Sequence, residues 1–155
     1  MKSKFMREAI RLSLQKMRGN QGGPFGAVIV RQGKIVGRGW NQVTSTNDPT
    51  AHAEIIAIRE AGRRLKTFHL DDCEMYASCE PCPMCLSAIY WARLKKVYYA
   101  NTRQDAARIE FDDDLIYREV SQPVSRRKIP MRQMLRGEAM KVFAEWSKKP
   151  DKIRY

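Results

Sequence analysis

The chain has 155 residues, 43% of them hydrophobic, and 29 Lys and Arg against 17 Asp and Glu give it a formal charge of +12. This length predicts a single domain over residues 1–155 with one sizeable core. The longest apolar runs are far shorter than the ~20 residues of a membrane span, and the basic N-terminus lacks an apolar signal segment, so we expect a cytoplasmic protein.

The first hundred residues alternate between helical and strand patterns. Apolar residues three or four positions apart indicate helices, whereas short alternating or fully apolar runs indicate strands. Gly19 ends the first helix, the first two strands flank Gln32-Gly33 as a β-hairpin, and Thr50 is the expected cap of the second helix. The predicted elements are a helix at 2–18, strands at 25–30 and 34–40, a polar loop at 42–50, a helix at 51–65, a strand at 74–77, a helix at 84–92 and a strand at 96–100.

The pattern after residue 100 is weaker. We predict a short helix at 112–119, a linker at 121–128, a strand at 129–135 and a helix at 138–148. The inward face of that last helix would carry Ala139, Val142, Phe143 and Trp146. Alternating helices and strands of this kind indicate an α/β fold, a mixed sheet with helices on both faces.

The positive charge is concentrated near the C-terminus. Residues 118–155 hold 11 basic and 4 acidic side chains, a net charge of +7. Such a segment can attract phosphate backbones and make binding salt-dependent. A solvated basic surface is the more common explanation, so nucleic acid is a possible partner but not the favoured one.

Four residues in two short motifs indicate a catalytic zinc site. His52 and Glu54 form an H-x-E motif, and Cys82 and Cys85 form a C-x-x-C motif preceded by proline. This combination resembles the metal-site motifs of the zinc-dependent nucleobase deaminases. Three protein ligands leave one position for a water whose pKa the metal lowers toward ~7. Glu54 can then move protons between that water and a leaving amino group.

The spacing constrains where these residues lie. Cys82 and Cys85 are three apart, so one face of the helix at 84–92 can present both to one ion. His52 and Glu54 are two apart and reach a common site only from the first turn of a helix, with the metal beyond its end. Two helix N-termini near the metal would favour both thiolates.

A closed structural site is the main alternative from these residues. Cys79, Cys82, Cys85 and His52 would complete a Cys3His tetrahedron. Glu54 would then have no function, and the prolines at 81 and 83 disfavour a continuous helix through the cysteines. We therefore expect Cys79 and Cys73 to be buried thiols, without disulfides in a reducing compartment.

Several segments together resemble the bacterial guanine deaminases, members of the cytidine/deoxycytidylate deaminase-like zinc enzymes. The metal motif alone is common to the whole superfamily, whereas Pro-Met between the cysteines, the Phe-Asp-Asp and the terminal tyrosine narrow the resemblance. The segments cover nearly the whole chain: GGPFGAV at 22–28, NDPTAHAE at 47–54, SCEPCPMC at 78–85, AIYWAR at 88–93, FDD at 111–113 and Tyr155.

This resemblance implies a three-layer α/β/α sandwich with a mixed five-stranded sheet and one Zn2+ per subunit. It also implies a homodimer in which the C-terminal segments, residues 121–155, are exchanged between subunits, with 121–128 as the hinge. Tyr155 would then cover the substrate in the partner's pocket.

The resemblance also implies roles for individual residues. His52, Cys82 and Cys85 would bind zinc, and Glu54 would be the proton shuttle. The activated water would attack C2 of guanine, Glu54 would protonate N3 and then the amino group, and xanthine and ammonia would result. The residues implied in substrate binding are Phe25 by stacking, Asn41 and Asp113 by hydrogen bonds to the purine, and Ala53, Trp91 and Tyr155.

Two departures from the family leave the substrate open. Glu110 stands before Phe111, where the family usually has glycine, so the nearby aspartates could be displaced. The basic C-terminal segment is unusual for an enzyme whose substrate is an uncharged base. Guanosine, cytosine, a related nucleoside or a tRNA adenosine are therefore the alternative substrates.

Overall fold

The computed structural model describes residues 2–155, which form two compact units, one ending at Asp113 and the other comprising Asp114–Tyr155. The first unit contains a sheet and five helices. Its elements are α1 (Ser3–Arg18), β1 (Gly26–Arg31), β2 (Lys34–Trp40), α2 (Val43–Thr46), α3 (Ala53–Leu65), β3 (Cys73–Cys79), α4 (Pro83–Trp91), β4 (Lys96–Asn101) and α5 (Arg103–Ala107).

The sheet is mixed, with the strand order β2-β1-β3-β4. β1 pairs antiparallel with both β2 and β3, whereas β3 and β4 are parallel. The hairpin between β1 and β2 turns at Gln32 and Gly33, both with positive φ. A parallel pair needs a crossover connection, and α4 provides it.

Alternate residues of β1 face two separate cores, which is the basis of the layered arrangement. Ala27 and Ile29 belong to the larger core, which includes buried residues of α3 and α4. Val28 and Val30 belong to a second core with Phe5 and other residues of α1. Helices therefore cover both faces of the sheet, which confirms the predicted α/β sandwich.

Helix α3 lies against β2 with almost no side chain between them. A Cβ atom at Gly39 would lie 1.9 Å from the backbone oxygen of Ala53, and one at Gly37 would lie 2.4 Å from that of Ala57. These glycines let the helix backbone approach the strand backbone directly. The contact at Ala53 fixes the start of α3, next to His52 and Glu54.

The second unit contains α6 (Asp114–Ser121), a 3-10 turn (Val124–Arg126) and α7 (Arg136–Lys148). The structure describes all of Asp114–Tyr155, and none of these residues is buried. Large apolar side chains are among the exposed ones: Leu115, Ile116 and Val120 on α6, and Met140, Val142, Phe143 and Trp146 on α7. Contiguous exposed apolar surface of this kind is typical of an interface.

Three predictions about the later chain need correction. The sheet has four strands within residues 2–155, not five, and residues 129–135 are irregular. That segment contains Pro130, which has no N–H for strand pairing, and no other strand there pairs with it. The face of α7 predicted to be inward is exposed in the single chain, with Phe143 at 68%.

The loop before α3 also differs from the prediction. Residues 43–46 form the short helix α2, and Asn41 Oδ1 accepts a hydrogen bond from the Val43 N–H at its start. Thr50 is not the cap of α3, because its hydroxyl and N–H both donate to Asp48 Oδ1. The N-cap is His52, so α3 begins two residues later than predicted.

Among residues 2–155, no helix has the length and apolar character that a membrane crossing requires.

Substituting Gly39 with alanine should displace the start of α3, because the added methyl group would overlap the Ala53 oxygen and the Ala57 nitrogen. We expect the free energy of unfolding to fall by ~2 kcal/mol, a typical cost of overpacking. The measurement is denaturant unfolding followed by circular dichroism. Gly137→Ala, with open space around the new methyl group, is the control and should not destabilise. A Gly39→Ala protein as stable as the parent would contradict the assigned contact.

Candidate metal centre

The residues of the two motifs lie at the N-terminal ends of α3 and α4. His52 is the N-cap of α3 and has an extended backbone, while Glu54 is in the first turn. Cys82 is the N-cap of α4, Pro83 opens the helix, and Cys85 follows one turn after the cap. Proline suits the first helical position because its missing N–H would be unpaired there anyway.

Three potential ligand atoms converge between these helix ends. Cys82 Sγ lies 3.5 Å and Cys85 Sγ 3.6 Å from Nδ1 of His52. All three atoms lie within 4.8 Å of one another, and within residues 2–155 they form the one cluster of three or more such groups. A nitrogen and two sulfurs are the donor set that zinc prefers, so these residues fit a zinc ion.

The two thiols and the imidazole share protons unequally. Interaction with Cys85, with help from His52, lowers the pKa of Cys82 to about 4. Interaction with Cys82 and burial raise the pKa of Cys85. The contact with Cys82 raises the pKa of His52. Because the pKa of Cys85 is raised beside the Cys82 thiolate, both thiols are deprotonated together only next to a cation. A divalent metal ion provides that charge.

Glu54 is a buried carboxyl group beside this cluster. Its Oε2 accepts a hydrogen bond from Cys85 Sγ at 3.4 Å, and the residue is 8% exposed. Burial raises the pKa of Glu54, and the negative charge of Cys82 adds to this shift. A carboxyl group with a raised pKa in a buried site is well suited to accept and return protons near neutral pH.

The other cysteines and the second histidine lie outside the cluster. Cys79 is buried at the end of β3, where its Sγ contacts the Thr102 carbonyl oxygen at 3.6 Å. Cys73 is buried and contacts Asp72. Burial raises the pKa of each thiol to about 11. Both are free buried thiols, as predicted. His69 lies in the connection between α3 and β3, where its ring packs on Phe68.

Asn41 lies directly after β2 with its amide oxygen already engaged. Oδ1 accepts hydrogen bonds from the N–H groups of Gly23 and Val43, both at 3.2 Å. The Asn41 N–H donates to the Phe25 carbonyl oxygen at 3.1 Å. Asn41 is buried, so these bonds fix its orientation and reserve the side-chain NH2 group as a donor.

Phe25 and Asp113 are the other first-unit residues predicted to touch the substrate. Phe25 packs against the larger core and meets Phe111 edge-to-face. Burial raises the pKa of Asp113, Arg103 opposes the shift, and the charge of Cys82 contributes to it. Asp113 is therefore within electrostatic range of the metal cluster. Ala53 is buried at the first position of α3.

The remaining two predicted substrate residues are on the surface of the single chain. Trp91 ends α4 and is 69% exposed, and Tyr155 is 74% exposed. The structure therefore brings His52, Glu54, Cys82 and Cys85 together, whereas Trp91 is at the opposite end of α4 from Cys82.

The sequence analysis did not predict helix α5. It therefore also missed the turn after this helix, which leads to Phe111 and Asp113. Its signal was present, because Thr102 and Asp105 have the spacing of a capping box. In the structure the Thr102 hydroxyl accepts from the Asp105 N–H, and the Asp105 carboxylate accepts from the Thr102 N–H. The contact between Phe111 and Phe25 had no signal in the sequence.

A protein-family match, a sequence relative and a solved structure all relate this chain to zinc-dependent deaminases. Residues 1–101 match the family described as the cytidine and deoxycytidylate deaminase zinc-binding region. Guanine deaminase of Bacillus subtilis is 49% identical over 151 residues, 97% of each chain. Its crystal structure has a TM-score of 0.96 to this chain at 48% identity, covering 99% of this chain and 98% of the other.

More distant relatives fall in the same superfamily. The tRNA-specific adenosine deaminase of Buchnera aphidicola is 36% identical, covering 81% of this chain and 80% of its own. A guanine deaminase structure from Nitrosomonas europaea has a TM-score of 0.67 at 30% identity, covering 70% of this chain and 63% of that one. The matched region contains the His-Cys-Cys cluster and the buried Glu54, and the chain belongs to the cytidine and deoxycytidylate deaminase family.

Proposed function

We propose that this protein catalyses the hydrolytic deamination of guanine to xanthine and ammonia with zinc as its cofactor. The observation that carries the proposal is the buried Glu54 carboxyl group, 3.4 Å from Cys85 Sγ but outside the three-donor cluster. A structural zinc site has four protein ligands and no use for such a group. Similarity to a guanine deaminase over 97% of the chain supports guanine as the substrate.

We assign one zinc ion per chain to His52, Cys82 and Cys85. A zinc site with three protein ligands is typical of catalysis, and bound zinc supplies the Lewis acidity that makes water nucleophilic near neutral pH. The two cysteines act as ligands only as thiolates, which a reducing compartment preserves. We therefore place the protein in the cytoplasm.

Glu54 transfers the protons of the reaction. Its carboxylate accepts a proton from the water that attacks C2 of guanine and passes it to N3. It then takes the remaining proton from the oxygen now bound to C2 and delivers it to the amino nitrogen, so the C–N bond breaks, ammonia leaves and the C2–O bond becomes a carbonyl. Burial supports proton acceptance, because it raises the pKa of Glu54 above that of a solvent-exposed carboxyl group.

The polar groups near the cluster match the edge of guanine. The Asn41 NH2 group, whose amide oxygen is engaged by backbone N–H groups, can donate to the purine carbonyl oxygen. Asp113, as a carboxylate, can accept from the ring N–H and amino groups. Phe25 supplies an aromatic face for stacking, and Ala53 lies where a backbone N–H has no partner within the helix. Adenine would present the opposite polarity to Asn41 and Asp113.

A second copy of this chain completes the site in this proposal. The apolar faces of α6 and α7 are exposed in the single chain, and a homodimer with exchanged C-terminal segments would cover them. Tyr155 and Trp91 would contact substrate in the assembled dimer, with Tyr155 as a lid.

An RNA substrate is the second candidate, favoured by two observations. Residues 118–155 carry a net charge of +7, and a tRNA-specific adenosine deaminase is 36% identical over 81% of the chain. Binding of RNA to such a segment would weaken steeply with salt. Guanosine differs from guanine only at the sugar and is the third candidate.

Removing one ligand tests the metal assignment. Cys82→Ala should leave the dialysed protein without zinc, because two ligands hold zinc much more weakly than three. Cys79→Ala is the matched control and should retain one zinc per chain by atomic emission. Loss of zinc in both variants would instead make Cys79 a fourth ligand and the site structural.

An ammonia-release assay across guanine, guanosine, adenine, cytosine and tRNA tests the substrate. We expect guanine to be preferred, with little effect of moderate salt. Glu54→Gln should lower kcat by at least ~100-fold, the usual contribution of general acid–base catalysis, while zinc content is unchanged. Glu60→Gln, the same change about 9 Å further along α3, is the control and should remain active. Release from tRNA but not from guanine would refute guanine deamination.

Co-expression of two inactive chains tests the exchange. A chain lacking residues 153–155 should be impaired because it has no lid, and the Glu54→Gln chain should be inactive. In an exchanged mixed dimer, one site has both Glu54 and an intact Tyr155 from the partner, so activity should return to that site.

We expect light scattering to show a dimer. We also expect recovery of roughly a quarter of the parental activity, because random pairing makes half of the dimers mixed and each mixed dimer has one intact site. No recovery in a purified mixed dimer would show that Tyr155 acts within its own chain, whereas an unimpaired truncated chain would show that there is no lid.

A further inference from the structure

The ring of Phe25 is held by an aromatic side chain with no assigned role. Phe111 meets Phe25 edge-to-face, with ring centroids 4.9 Å apart and planes at 86°. Pairs in this geometry stabilise the relative orientation of two rings beyond simple burial. The larger core contacts Phe25 as well, so its ring is held between that core and Phe111.

The segment that carries Phe25 is tied at several points. The Gly23 N–H donates to Asn41 Oδ1, and the Phe25 carbonyl oxygen accepts from the Asn41 N–H. A Cβ atom at Gly23 would lie 3.4 Å from both the Phe111 ring and the Phe25 ring. Phe111 therefore packs beside the Gly23 backbone as well as the Phe25 ring. Asn41 is hydrogen-bonded to both Gly23 and Phe25, so these contacts hold the whole segment in place.

The approach of Phe111 is set by the backbone after α5. The Phe111 N–H donates to the Ala106 oxygen and the Glu110 N–H to the Ala107 oxygen, each at 3.1 Å. Glu110 has φ +70°. This is a Schellman motif with Glu110 at the left-handed position where glycine is usual. Glu110 adopts the left-handed conformation that a glycine would have. The glutamate therefore does not require the displacement of the nearby aspartates that the sequence suggested.

Phe111 thus joins two parts of the proposed guanine site. On one side it contacts Phe25, the proposed stacking face. Two residues later the chain reaches Asp113, the proposed acceptor for the purine N–H groups. A ring fixed at this point can coordinate the plane of stacking with the position of the carboxylate.

We propose that Phe111 is a positioning residue for guanine, which fixes the plane of the Phe25 ring through their edge-to-face contact. The role rests on the proposed stacking of guanine on Phe25. Because Phe111 acts on substrate orientation and not on the metal, its loss should raise KM while leaving zinc content and most of kcat unchanged.

A double-mutant cycle on the full chain, loaded with zinc, tests this role with guanine as substrate. The variants are Phe25→Leu, Phe111→Leu and the double variant. We expect Phe111→Leu to raise KM about fivefold, equivalent to ~1 kcal/mol, with kcat changed less than about twofold. In the Phe25→Leu background the same change should raise KM by less than about twofold, because no ring plane remains to be fixed.

Two controls separate positioning from general destabilisation. Phe111→Tyr keeps the ring and should have the parental KM. Phe68→Leu removes a phenylalanine of similar exposure, 51% against 46%, and should leave KM unchanged. Unfolding temperature and zinc content identify any variant that has lost its fold.

Three results would overturn the proposal. One is a parental KM in Phe111→Leu, and another is independent effects of the two substitutions in the double variant. The third is parental kinetics in Phe25→Leu, which would remove the stacking face itself. Failure of guanine deamination is a separate result, because the parental protein would then release no ammonia from guanine.

Discussion

The meeting of two helix N-termini determines the chemistry of this protein. His52 caps α3 and Cys82 caps α4, so both ligands leave the backbone where each helix begins. The positive ends of the helix dipoles favour thiolates and stabilise negative charge at this point. Cys85 and Glu54, within the first turns, then face the same small volume without any long loop to hold them. The sheet brings the helix ends together, because α4 is the crossover between β3 and β4 and α3 packs on β2.

The metal-centred part of the site could be predicted because its geometry is local. Spacings of two and three residues at helix starts determine which side chains can share an ion. Helix and strand periodicity likewise located β1 to β4, α1, α3 and α4 to within a few residues. The start of α3 was misplaced because Thr50 is a good capping residue in isolation, whereas here Asp48 accepts both of its hydrogen bonds.

The rest could not be predicted from one chain because it depends on contacts distant in sequence. The pairing of Phe25 with Phe111 joins residues 86 positions apart, and no periodicity records it. The apolar pattern of α7 correctly identified a helix but not what covers its apolar face, which is exposed in the single chain. Residues 129–135 have strand-like composition without a strand neighbour, so local preference alone did not produce a fifth strand.

The direct backbone contact between β2 and α3 has a consequence for how the site tolerates change. At Gly39 and Ala53 no side chain separates the strand from the helix, so there is no rotamer through which the spacing can adjust. Substitutions elsewhere in the core can repack and alter stability, but they cannot lengthen this contact. The distance from the sheet to His52 and Glu54 is therefore expected to stay the same when other core residues are substituted. A substitution of the glycines themselves would change it.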